Sequence, residues 1–168
     1  MRKLPVRPIV PAAGQESVWD YPRPPALEQS GRRVVVRVGS VVIADSTAAW
    51  RVMETSHPPT WYLPRADVVE QYLRRSAARS SICEWKGAAT YWDVLVPGQP
   101  VLQSVGWSYQ TPTPRFVPIT GYVSFMPGEI DCSIDGERVL PQAGGFYGGW
   151  ITPDVVGPFK GEPGSWGW

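Results

Sequence analysis

The chain has 168 residues, a formal net charge of +1 and 43% hydrophobic residues, enough for one domain to bury a core of its own. So small a net charge supplies no long-range field for nucleic acid or an anionic membrane, although Arg2, Lys3 and Arg7 make the extreme N-terminus locally basic. No apolar run approaches the roughly 20 residues that span a bilayer, and Pro5, Arg7 and Pro8 break Leu4 to Val10 too often for a signal-peptide core.

A cytoplasmic protein without nucleic-acid or membrane partners is therefore expected. Valine outnumbers leucine 21 to 7, and β-branched side chains lose rotamer freedom in helices but fit a pleated surface, so the fold class is mostly β. With 17 Gly and 19 Pro the chain must turn often. It contains no Asn, which excludes N-glycosylation.

Residues 1–31 carry six prolines around Trp19 and Tyr21, a composition suited to an extended N-terminal arm rather than helix or strand. The core is expected over 32–140. It opens with Val34 to Val38, a turn at Gly39-Ser40 and Val41 to Ala44, read as a β-hairpin, with Ala49 to Glu54 as a third strand ended by Pro58-Pro59. After Pro64, the spacing of Val68, Val69, Tyr72 and Leu73 predicts one short helix, with Arg74 and Arg75 placed well at its end. Ala88 to Val96 and Val105 to Tyr109 read as strands. In Glu129 to Asp135 the apolar Ile130, Cys132 and Ile134 alternate with polar residues, and Asp135-Gly136 supplies a hairpin turn, so Cys132 should face the core. Residues 141–168, rich in Gly and aromatics, read as a C-terminal arm wrapped over the core or a second subunit.

Chemistry is narrowed by what is scarce. Two isolated cysteines, Cys83 and Cys132, and one histidine, His57, are too few for a structural zinc site, so neither metal nor cofactor is expected and both thiols should be free. Nucleotidyl transfer uses a Gly-Ser turn followed by two carboxylates on one strand face; Gly39-Ser40 is followed nearby only by Asp45. Gly144-Gly145 and Gly148-Gly149 lack the strand-glycine-helix context of a phosphate loop. Lysine says more: there are 13 Arg but only three Lys, and two of these repeat an aromatic-Lys-Gly pattern, Trp85-Lys86-Gly87 and Phe159-Lys160-Gly161. A compact ammonium beside a glycine that admits close approach suits an anion or a carbonyl.

Several segments together resemble a known family: Glu16 to Pro25, Ala44-Asp45-Ser46, Glu54-Thr55-Ser56-His57-Pro58-Pro59, Tyr62-x-Pro64-Arg65-x-Asp67-Val68, Cys83-Glu84-Trp85-Lys86-Gly87-x-Ala89-x-Tyr91-Trp92, and Gly148 through Gly161. They are similar to the bacterial and fungal domain of unknown function four-two-seven, with Cys-x-Trp-Lys-Gly the most specific mark. The resemblance implies a β-tent architecture of small antiparallel sheets, related to zinc-binding domains but without their cysteine pairs, and carries a nucleotidyltransferase label.

The leading reading is a small-molecule-binding domain in which Glu54, Arg65, Trp85, Lys86 and Tyr91 line one polar-aromatic pocket with Cys83 at its edge. A second makes it an enzyme with Lys86 as base or Schiff-base amine, or Cys83 as nucleophile. A third is a homo-oligomerisation module clasped by the terminal aromatic arms.

Overall fold

Valine-rich alternation and frequent turns build sheets here, and the computed structural model, which describes residues 5–168 except the side chains of 78–80, is mostly β. Arg2 and Lys3, the basic residues noted at the N-terminus, lie outside the described residues. The strands in chain order are β1 (Glu16–Ser17), β2 (Ala26–Ser30), β3 (Val34–Val38), β4 (Val41–Ser46), β5 (Ala49–Met53), β6 (Thr60–Tyr62), β7 (Leu73–Cys83) and β8 (Gly87–Val94). They continue with β9 (Leu102–Ser108), β10 (Val123–Phe125), β11 (Asp131–Ile134), β12 (Glu137–Arg138), β13 (Leu140–Pro141), β14 (Trp150–Ile151) and β15 (Val155–Val156).

Three antiparallel sheets carry the fold, with strand orders β12-β11-β3-β4, β10-β9-β8-β7 and β2-β5-β6. Val34, Val36, Cys132 and Ile134 are all buried on the inner face of the first, as period-two alternation requires, and Ile43 is buried with them where the β3–β4 register shifts. The hairpin after it turns on Asp135 and Gly136, both at positive φ, and the Asp135 carboxylate accepts from Arg32 Nε at 2.8 Å and from the Arg33 N–H at 3.0 Å. Leu63 and Val123 exchange two backbone hydrogen bonds of 2.9 and 2.8 Å, joining the β6 sheet to β10.

The segment after Pro64 differs from the helix its spacing predicts. Arg65–Asp67 and Glu70–Tyr72 are single 3-10 turns, and the short helix of the fold is instead the six-residue 3-10 helix Pro114–Ile119. Between the two turns Val68 bridges Ala44, Val69 N–H donates to Ile43 O at 2.8 Å, and Tyr72 O accepts from Leu95 N–H at 2.8 Å. Backbone groups already engaged by strands cannot close helical rings, and β-branched Val68-Val69 favours that outcome.

Residues 26–30, read above as arm, form the edge strand β2, held by Arg51 on β5. Arg51 donates to Glu28 at 2.6 and 3.1 Å and also to Glu16, which accepts from Tyr21 Oη at 2.7 Å. The two end segments meet each other: β1 pairs in parallel with β15, and the Trp19 and Trp168 rings pack edge to face at 5.3 Å. Trp150 is fully buried and donates to Phe125 O at 3.0 Å. Among the described residues no helix is long and apolar enough to cross a membrane.

Candidate functional site

Successive residues of a strand point to opposite faces. On β8 this sends Tyr91 to one face and Trp92 to the other, and across the ladder Tyr91 pairs with Trp107 of β9. Trp107 and Tyr109, two residues apart, then share that face. Opposite them, Tyr62 of β6 accepts a hydrogen bond from Trp107 Nε1 at 3.2 Å, and its ring lies 6.3 Å from that of Tyr109. These aromatics wall a cavity of about 360 Å³.

Lys86 reaches this cavity from the β7–β8 turn. Cys83 and Gly87 are the last paired residues, leaving Glu84, Trp85 and Lys86 as a three-residue loop that Gly87 closes at φ +103°. Thr113 clamps the loop twice: its N–H donates to Lys86 O at 3.1 Å and its hydroxyl to Trp85 O. The Lys86 ammonium lies 5.6 Å from the Tyr109 ring centroid and 6.0 Å from that of Tyr62. Burial opposes the charge, but Tyr62, Cys83 and Glu54 outweigh it and hold the Lys86 pKa above the usual 10.5. Lys86 is thus an ammonium throughout the physiological range, a donor rather than a base. Burial also pushes the Tyr109 hydroxyl well up, so it stays protonated.

The polar end of the cavity is a chain of fixed contacts. Glu54 accepts from Arg23 Nε at 3.2 Å and faces His57 Nε2 at 3.4 Å. Burial raises the Glu54 pKa, yet His57 and Arg23 prevail and keep it below the usual 4.5. Gln142 fixes the imidazole from the other side. Its NH2 donates to Lys160 O at 2.6 Å and its Oε1 accepts from the Gly149 N–H at 3.2 Å, so the amide has one orientation. The same NH2 stands 3.1 Å from His57 Nδ1, which must be the acceptor, leaving the Nε2–H to face Glu54.

Of the residues singled out in the sequence, Glu54, Cys83, Lys86 and Tyr91 line this one cavity. Arg65 does not. It stacks on Trp92 at 4.6 Å, on the opposite face of the sheet, beside Arg75 and Gln110. Trp85 packs against the cluster that includes Tyr62, Trp107, Tyr109 and Phe116 but is absent from the cavity lining. Lys160 does line it, so both aromatic-Lys-Gly lysines converge there; its ammonium donates to Trp168 O at 3.2 Å. Tyr62, Trp107, Tyr109 and Gln142 were missed in the sequence. The 105/107/109 alternation was the available signal for two of them.

His57 has both ring nitrogens engaged, by Glu54 and Gln142, which leaves it no nitrogen for Cys83 in a nucleophile–base couple. Both cysteines are free; Cys83 is half-buried at the cavity, and Cys132 is buried in the core. Among the described residues no three His, Cys, Asp or Glu side chains group as metal ligands. No curated protein matches this chain. The segment that builds the cavity's sheets, residues 26–136, matches the model of a domain of unknown function (DUF427), and the chain belongs to that family.

Proposed function

We propose that the cavity binds a small molecule through an anionic or carbonyl group held by Lys86. The observation that carries this is the Lys86 ammonium itself: among the described residues no carboxylate comes within 4.0 Å of it, although it sits among aromatic rings on the wall of a cavity. Lys86 is half-buried, and an ammonium so placed, with no ion-pair partner among the described residues, favours an anionic or carbonyl oxygen beside it. Glu54, the nearest acidic candidate, is already taken by Arg23 and His57. An ammonium has three donors, so a ligand oxygen finds hydrogen-bond donors and a cation in the same place. Base or Schiff-base chemistry needs the neutral amine, which the raised pKa disfavours.

The test is a thermal-shift screen of a broad metabolite panel on the full chain, repeated with Lys86→Met. A compound at one hundred times its Kd stabilises by about 2.7 kcal/mol, which moves the melting point by roughly 5–10 °C in a chain of this size. Anionic or carbonyl compounds should shift wild type and not the variant. No shift in wild type, or equal shifts in both proteins, refutes the reading.

A further inference from the structure

Three properties of the cavity narrow the ligand class. The first is its walls. Tyr62, Trp107 and Tyr109, all buried, back the cavity near Lys86, and the half-buried Tyr91 and Tyr147 line it with them; aromatic surfaces of this kind favour a flat π-system in offset or edge-on contact.

The second is the donor set. Among the described residues no arginine lines the cavity, and no α-helix is present to offer an N-terminus. An ammonium with tyrosine hydroxyls beside it matches a carboxylate. The other lining ammonium, that of Lys160, spends one of its three donors on Trp168 O at 3.2 Å and lies over Tyr147 at 5.7 Å.

The third is shape. About 360 Å³, at roughly 30 Å³ per water-sized group, holds about a dozen non-hydrogen atoms. At the solvent side two apolar lining residues stand open, Ile82 at 86% and Phe146 at 73% exposure. They belong to separate segments, the end of β7 and the strap Gly144–Gly149. An apolar body passing between them would cover both while its charged head reaches Lys86.

We infer that the ligand is a small aromatic monocarboxylate, bound head-first with its carboxylate on Lys86 and its ring between the aromatic walls and the Ile82–Phe146 rim. This rests on the reading of the cavity as a ligand site.

The experiment is a calorimetric and NMR titration of the full chain with benzoate, phenylacetate and indole-3-acetate, set against acetate, cyclohexanecarboxylate, benzamide and phenyl phosphate. The aromatic acids should bind tightest, with probe ring protons moved upfield by the surrounding aromatic rings. Lys86→Met should weaken them about tenfold or more, the worth of a charged hydrogen bond; Lys86→Gln is the second variant should the first unfold. Phe146→Ser, at an exposed position, should weaken the aromatic acids several-fold and leave acetate unchanged. Cyclohexanecarboxylate binding as well as benzoate, or phenyl phosphate or benzamide binding better, overturns the inference while leaving a ligand site in place. Failure of every anionic and carbonyl compound in the broad panel removes the site itself.

Discussion

Gly148 lies against the indole of Trp107, so Gly148→Ala tests whether the strap Gly144–Gly149 is seated as the cavity requires. The added methyl would lie 2.6 Å from Trp107 Cζ2 and closer still to Cη2, against an ordinary carbon–carbon contact of roughly 3.5–4.0 Å. One side must move by about 1 Å. Trp107 is poorly placed to do so: it is 8% exposed, its backbone pairs with Tyr91 and Ser124 on the two neighbouring strands, and its indole N–H is bonded to Tyr62. The strap therefore yields, although Gly149 is tied to Gln142 and the Trp150 N–H to Pro59 O at 2.8 Å. Overpacking of this kind costs about 1–3 kcal/mol, a fall in melting point of roughly 2–12 °C for a domain of this size. Urea and thermal melts read it directly. Gly31→Ala is the control, because its methyl would meet nothing within 4 Å, and it should leave stability within about 1 kcal/mol of wild type. If both variants melt together, the strap does not rest on Trp107 and the cavity lacks that wall.

Thr113→Val keeps the side-chain shape but frees the Trp85 carbonyl, so it should cost about 0.5–1.5 kcal/mol in a denaturant melt and loosen Lys86 enough to weaken any ligand it holds. A thiol reagent at neutral pH should modify Cys83 and spare Cys132, whose pKa burial pushes far up; equal rates would contradict the core placement of Cys132. Glu54 has a folded pKa held below 4.5, so its contribution is present above that value and is lost as pH falls below it. Glu54→Gln should accordingly flatten the acid limb of a stability–pH curve, and an unchanged limb would show that the Arg23 and His57 contacts do not persist in solution. Imidazole 15N spectra should find His57 with its proton on Nε2; a proton on Nδ1 would mean that the Gln142 amide is turned over.

How much of the fold was legible depends on whether a strand writes its burial into its sequence. Asp131–Ile134 alternates because one face meets the core, Val34–Val38 and Val41–Ser46 are runs dominated by β-branched residues, and the glycine turns between or after them mark the hairpins, so these elements could be read. Strand β7 could not. Its run Leu73–Cys83 is a sheet edge rich in Ser, Ala and Arg, with too little apolar alternation to show a period. Just before it, Val68, Val69, Tyr72 and Leu73 have helical spacing by coincidence of two short turns with a bridge to β4, a tertiary pairing no local pattern reports. Residues 26–30 pair with β5 far along the chain, which their surrounding prolines concealed.

The candidate site divides along the same line. Cys83, Lys86 and Tyr91 are close in sequence, flank one hairpin turn and line one cavity, so local reasoning about Cys-x-Trp-Lys-Gly could find them. The error lay in parity. Trp85 and Lys86 are adjacent, look equivalent and are held by the same Thr113 clamp, but Lys86 lines the cavity whereas Trp85 packs on the Tyr62–Phe116 cluster outside that lining. Arg65 fails for the matching reason: its partner is Trp92, and Trp92 faces away from everything Tyr91 faces. The side of the β8 ladder, rather than proximity to the motif, separates the residues that line this cavity from those that do not. By that criterion Lys160, which shares the aromatic-Lys-Gly pattern but was not placed in the expected pocket, belongs with Lys86, since both line the cavity that Tyr91 and Trp107 face.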